Sequence, residues 1–299
     1  MRGAGRTAVV KALLLAVAAC HAQAQSPPTQ AVTWPPIVDS HVHLSFDPVG
    51  DELARRGVLA AVDLAAPEAT LGKPAPILLV QAGPMLTHGG GYPLDAWGEA
   101  GFGIGCDDAA CVQTTIDRLA RERARVIKLA LDDDGLAPPL IPIAVAAAHA
   151  DHLRVAVHAL TDASAARAAA AGADILAHTP VEHLADATVA AWRGRAVIST
   201  LAAFGGSDTT IDNLRRLRAA GVTVLYGTDL GNTRDAGPSA DEIALLAQAG
   251  LDDAAITAAM TTTPIAYWGL DLGTAHLVLD GDPRHDARQL LHPREVHKR

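Results

Sequence analysis

Eight short apolar runs recur between residues 37 and 229: "IVDSHVHL" (37–44), "GVLAAVDL" (57–64), "ILLVQAG" (77–83), "VIKLAL" (126–131), "VAVHAL" (155–160), "ILAHT" (175–179), "AVISTL" (196–201) and "VTVLYGTD" (222–229). Between them lie segments of helical period: "TTIDRLARERA" (114–124), "LIPIAVAAAHA" (140–150), "DASAARAAAAG" (162–172) and "TTIDNLRRLRAAG" (209–221). The third of these is expected to open on Asp162 as N-cap and close on Gly172 as C-cap. Strands that alternate with helices imply a parallel sheet. Eight such units over residues 37–269 point to a (β/α)8 TIM barrel. An open doubly wound sheet is the competing architecture, but no glycine-rich dinucleotide turn follows the first strand.

The chain of 299 residues is 49% hydrophobic and carries a formal charge of −9. It can bury one large core. No basic run lies beyond the first eleven residues, so a nucleic-acid surface is not expected. Arg2, Arg6 and Lys11 precede the apolar run "ALLLAVAA" (12–19), and "AQA" (22–24) meets the small-x-small rule for signal-peptide cleavage. The expected leader is therefore 1–24, too short in its apolar part to span a bilayer. "VAAC" (17–20) supports a second reading, a lipobox with Cys20 lipidated. Either way a periplasmic or secreted protein is expected, the soluble form preferred. A Pro-rich lead-in (25–36) follows, and residues 270–299 form a tail. In an exported chain Cys106 and Cys111, in "GCDDAAC", are candidates for a local disulfide, with two free thiols as the alternative.

The polar residues within the apolar runs fall at matching places. His41 and His43 end the first strand, Lys128 lies in the fourth, His158 in the fifth, His178 in the sixth and Asp229 in the eighth. Barrel active sites gather at the C-terminal ends of strands, so all six can share one mouth. Side chains two apart on a strand face the same way, which pairs His41 with His43. Neutral imidazoles and a carboxylate suit zinc and similar divalent ions. The chain has 20 Arg and 4 Lys, and a lysine inside "VIKLAL" is costly to bury as an ammonium. Captured as a carbamate by carbon dioxide, it would be an anion with two oxygens able to bridge two metals. Taken singly, each residue has an ordinary structural role: a hydrogen-bonded core histidine, a snorkelling lysine, a capping aspartate. Six at six strand positions make coincidence a poor account.

Other polar residues carry less. His88 and Tyr92, in "LTHGGGYP" after the third strand, are candidate substrate contacts, as is Arg234, a cation for a ligand carboxylate. Asp39 reads as a supporting group rather than a ligand. His149, His152, His183, His276, His285, His292 and His297 read as surface.

The HxH at 41 and 43, Lys128, His158 in "VAVHA", His178 in "ILAHT" and Asp229 in "YGTDLG" together resemble the binuclear amidohydrolase superfamily. "RVAVHALTDASAARAAAAGADILAHTP" (154–180) is similar to its imidazolonepropionase- and prolidase-like branch, and the resemblance spans roughly residues 36 to 283. It implies two divalent ions, most naturally zinc. His41, His43 and Asp229 would hold the more buried ion, and His158 and His178 the more exposed one. Carboxylated Lys128 and a hydroxide would bridge them. Asp229 would move the proton in hydrolysis of an amide-like C–N bond of a small molecule, namely a dipeptide, an acyl-amino acid or a cyclic amide. A lactonase or phosphotriesterase could use the same centre, and a non-catalytic exported metal- or ligand-binding protein is a third reading. Relatives usually add a small β-sandwich. Here the HxH strand follows the leader almost at once, and "LDLGTAHLVLDGDP" (270–283) reads as a reduced remnant of it.

Overall fold

The computed structural model describes residues 31–97, 100–132 and 134–298, so the expected leader and Cys20 lie outside the described residues. Its strands are β1 (Val32–Trp34), β2 (Ile37–Val42), β3 (Val58–Asp63), β4 (Leu78–Gln81), β5 (Met85–Thr87), β6 (Gly103–Gly105), β7 (Val126–Ala130), β8 (Arg154–His158), β9 (Ile175–Leu176), β10 (Ala196–Ile198), β11 (Thr223–Leu225), β12 (His276–Leu279) and β13 (Glu295–His297). Its α-helices are α1 (Gly50–Arg55), α2 (Ala109–Arg121), α3 (Ile141–Ala150), α4 (Asp162–Ala171), α5 (Asp186–Ala191), α6 (Asp208–Ala219), α7 (Ala240–Gln248), α8 (Asp253–Met260) and α9 (Thr262–Trp268).

Each of the eight apolar runs contains a strand. They are buried on both faces because helices cover the outside, which is why they read as continuous Val, Ile, Leu and Ala rather than alternating. One parallel sheet runs β11-β10-β9-β8-β7-β5-β6 and a second runs β2-β3-β4. Backbone hydrogen bonds join the two at both borders. Ser40 N–H donates to Tyr226 O (2.9 Å) and Asp229 N–H to His41 O (2.9 Å), while at the other border Arg125 N–H donates to Gln81 O (2.9 Å).

Helix α2 starts at Ala109, five residues before the threonines expected to open it, because the Asp108 carboxylate accepts from Cys111 N–H. It buries Val112, Thr115, Ile116 and Leu119, a stripe at helical spacing. Helix α4 corrects the expected cap: Thr161 caps it in a reciprocal pairing with Ser164, and Asp162 is its first helical residue. Gly172 ends it as expected, at φ 91°. Cys106 and Cys111 are disulfide-bonded at the entry to α2.

Strands β1, β12 and β13 form a three-stranded antiparallel sheet that ties the Pro-rich lead-in to the tail. It is a single sheet; the second layer that a sandwich needs is not present among the described residues. His276 of β12 stacks on His297 of β13 at 4.4 Å as a cross-strand pair. No helix among the described residues is long and apolar enough to cross a membrane.

Candidate metal centre

Strand β2 delivers His41 and His43 to its C-terminal end, where both are buried. His41 Nδ1 lies 2.8 Å from Ala177 O, and His43 Nδ1 3.3 Å from Ala65 O. A carbonyl only accepts, so these partners assign the proton of each ring to Nδ1 and leave a lone pair on each Nε2. The two Nε2 atoms stand 3.1 Å apart.

The stretch after β11 supplies the third group. Gly227 and Gly231 bracket Asp229 where the chain presses on β2. A Cβ at Gly227 would come 2.4 Å from Ile198 Cγ2, and one at Gly231, φ 113°, would come 2.8 Å from His43 Cβ and O. Asp229 itself adopts φ 56°, a left-handed conformation that aspartate tolerates better than most residues. Its Oδ1 lies 3.5 Å from His41 Nε2 and 3.2 Å from His43 Nε2, and Asn232 Nδ2 donates to it. The ligand atoms of His41, His43 and Asp229 all fall within 4.8 Å of one another. Burial pushes the Asp229 carboxyl up, but His41, His43 and Lys128 outweigh it and hold the group well below the ordinary carboxylate range. Asp39 underpins the arrangement. Its carboxylate accepts from Thr228 Oγ1 and from the N–H groups of Thr228 and His41, while burial raises it to about 7.

His178 and His158 extend the cluster. The His178 ring is 4.5 Å from His41 and 5.0 Å from His158. Thr200 Oγ1 lies 3.0 Å from His178 Nδ1. Asp132 Oδ2 lies 3.3 Å from His158 Nε2, and His158 Nδ1 is buried with no hydrogen-bond partner. Burial, with Lys128 behind it, pushes the His158 ring down to about 3, and burial carries His41 and His178 well below the ordinary value as well. These rings are neutral, the form that binds a metal. Lys128 is fully buried in β7 and within electrostatic reach of Asp229, His41, His158 and His178. Burial pushes its ammonium down to about 7, with Asp229 pulling the other way.

The structure thus gathers all six residues read from the strand ends. Of the three substrate candidates, Tyr92 reaches the cluster, its ring 4.9 Å from His158. Those two line a cavity of about 220 Å3 together with Asp132 and Gly135. Larger hollows lie elsewhere, the two largest of those described at the N-terminal ends of β3 and β4 and beside β1 and β12, away from every polar residue of the cluster. His88 turns toward Asp107 instead, at 3.9 Å, and Arg234 is exposed with no contact to the cluster. Sequence reading passed over Asp132, Thr200 and a set of aromatic rings. Thr200 sits at the end of the seventh run, "AVISTL", so the strand-end rule that found the histidines would have flagged it.

The donor set fits a divalent cation. Two imidazole lone pairs and a carboxylate oxygen face one another, all acceptors, and a buried unpartnered nitrogen stands on the neighbouring histidine. Fold and cluster together define a parallel α/β protein with a histidine–carboxylate centre at the strand ends. Its fold is that of solved amidohydrolases. One such amidohydrolase is 21% identical, with a TM-score of 0.72, covering 89% of this chain and 85% of the other. A Xaa-Pro dipeptidase with methionine bound in its active site is 16% identical, with a TM-score of 0.74 and coverage of 90% and 86%. Ochratoxinase from A. niger is 18% identical, with a TM-score of 0.71 and coverage of 89% and 82%. No protein-family model matches the sequence, and no curated protein matches it.

Proposed function

We propose that the chain is a metal-dependent hydrolase of the amidohydrolase superfamily that cleaves an amide-like C–N bond in a small molecule. The observation that carries this reading is the cluster of His41 Nε2, His43 Nε2 and Asp229 Oδ1, three acceptors facing one another that a single cation would satisfy together. His41, His43 and Asp229 would hold one ion, and His158 and His178 a second. Zinc suits such donors. Lys128 would contribute as a carbamate, its neutral amine adding to carbon dioxide with loss of one proton. Support for that comes from its full burial and its depressed ammonium, which leave much of the amine neutral near pH 7. Bound divalent ions would lower the pKa of water and polarise the scissile carbonyl.

The residues of the chain do the rest. The ionised Asp229 takes the proton of the attacking water and returns it to the leaving nitrogen, so one C–N bond breaks as one C–O and one N–H bond form. The Ala177 and Ala65 carbonyls and Thr200 Oγ1 keep three imidazoles in the orientation their lone pairs need. Tyr92, kept protonated by burial and by the Asp229 charge, remains a hydrogen-bond donor beside His158.

Two further readings belong with this one. The two parallel sheets form a single closed (β/α)8 ring, supported by the hydrogen bonds at both borders and by the mouth they give the cluster. The protein is exported, supported by the leader-like residues 1–24 and by the Cys106–Cys111 disulfide, a bond that persists in oxidising compartments.

Chelation tests the function. Treatment with a strong chelator should abolish amide hydrolysis, and stoichiometric zinc should restore it. Full turnover in protein shown by elemental analysis to be metal-free would end the metal mechanism.

A further inference from the structure

Of the four Trp, three Tyr and three Phe in the chain, five stand at the cluster. Trp97 meets the His43 ring edge-on at 5.0 Å, Tyr92 lies 4.9 Å from His158, and Phe204 lies 4.8 Å from His178. Trp97 also meets Phe46 at 4.9 Å and Tyr92 at 5.4 Å, and Phe46 stacks on Phe102 at 4.1 Å. Phe46 follows β2, Phe204 follows β10, and Tyr92, Trp97 and Phe102 share the connection between β5 and β6, yet four of the five meet the imidazoles of His43, His158 and His178, and Phe102 backs Phe46 and Trp97. Tyr92 and Trp97 pack in part on Ala65, Met85 and Ala130, but core packing does not account for Phe46, which is 40% exposed. The mouth presents apolar surface to whatever enters.

Its charge points the same way. The loops after β2, β4, β5, β7, β8, β9 and β10 contain no Lys or Arg, the loop after β3 contains only Lys73, which lines the hollow at the N-terminal ends of β3 and β4, and the loop after β11 contains only the exposed Arg234. The charges acting through space on Tyr92 are those of Asp229, Asp95 and Asp132, all negative. A substrate carboxylate brought against Tyr92 and Trp97 would lose water and meet carboxylates, with no lysine or arginine on these loops to pair with it. An aromatic group would instead bury a large area against the rings.

We propose that the site selects an uncharged amide bearing an aromatic group, in preference to dipeptides or acyl-amino acids with a free carboxylate, and that Trp97 and Phe46 set this choice. The proposal rests on the hydrolase reading above.

The test uses zinc-loaded full-length protein and three substrates: N-acetylphenylalanine amide, N-acetylphenylalanine and N-acetylalanine amide, with acetate release measured. The phenylalanine amide should exceed the free acid in kcat/KM by at least about tenfold. Trp97→Ala should lower kcat/KM for the phenylalanine amide about tenfold more than for the alanine amide, with zinc content unchanged, and Trp97→Phe should restore most of the difference. Phe46→Ala, at an exposed position, gives a second variant whose folding is not in question. Preference for the free acid, or equal losses on both amides, overturns the proposal while leaving the hydrolase reading intact. If none of the three is hydrolysed, the hydrolase reading loses its support, and calorimetric binding of N-acetylphenylalanine amide decides the aromatic site. Binding that weakens about tenfold in Trp97→Ala upholds it, and no binding to the wild type overturns it.

Discussion

Two imidazole nitrogens and a carboxylate oxygen, none with a proton to offer the others, lie 3.1–3.5 Å apart at the ends of β2 and β11. Such an arrangement favours a cation, and in the proposed function Asp229 is both ligand and proton carrier. Asp229→Asn keeps the shape and removes the charge. Turnover should fall by roughly a thousandfold while part of the zinc stays bound, as read by steady-state assay and elemental analysis. A near-normal rate would remove the proton role from this residue. Thr200 acts at one remove. Thr200→Val deletes the hydroxyl beside His178 Nδ1 and should weaken binding of the second ion by at least about tenfold in a competitive chelator titration. Unaltered affinity would mean that His178 needs no such support. At this scale the six ligand candidates were legible because polar residues at strand ends stand out against apolar runs. Which nitrogen of each ring is free was not legible, since that depends on carbonyls such as Ala177 O, 136 residues from His41.

At the scale of elements, helix α7 reaches the centre through Glu242. Its buried carboxylate accepts from the N–H groups of Leu201 (3.0 Å) and Ala202 (2.7 Å), and so anchors the turn in which Thr200 takes φ 40°. Burial pushes Glu242 from 4.5 up to about 7. The folded form therefore keeps its proton where the unfolded chain has lost it. The stability this confers is full below pH 4.5 and disappears as pH rises through about 7. Denaturant melts of the metal-free protein should show wild type losing about 3 kcal/mol across that window relative to Glu242→Gln. Parallel stability curves for the two proteins would show that Glu242 does not titrate there. Helices α2, α3, α4 and α6 were readable from periodicity, with the start of α2 misplaced and the cap of α4 assigned one residue late, whereas α1, α5, α7, α8 and α9 were not read. Asp108 and Thr161 cap by reaching N–H groups three residues on, a matter of loop geometry that composition does not reveal. Strands β5 and β6 were missed because "MLT" and "GIG" sit among glycines and a proline rather than inside longer apolar runs, as β9, β10 and β11 do.

Across the whole molecule the centre joins residues from strands far apart in the chain, with β2 and the stretch after β11 in direct contact at one border between the sheets. A metal that binds only the folded state must then stabilise all of it. Zinc at a hundred times its Kd should add about 2.7 kcal/mol, visible as a higher melting temperature that Asp229→Asn diminishes. A melting temperature indifferent to zinc would mean that the ion does not bind this cluster. The sheet formed by β1, β12 and β13 closes the lead-in against the tail in similar fashion, and "VTW" alone gave no hint of it, because its partner is near the other end of the sequence.

What the sequence determined by itself is the alternation of eight apolar strands with helical segments and the set of polar residues at the strand ends. Both follow from local patterns, the period of apolar residues and the cost of burying charge, that any ten neighbouring residues can express. Tertiary structure decided which imidazole nitrogens face the centre, how the two sheets meet, and that aromatic rings from three loops gather beside the histidines. These depend on contacts between segments dozens to hundreds of residues apart, and only the folded chain brings such segments within reach of one another.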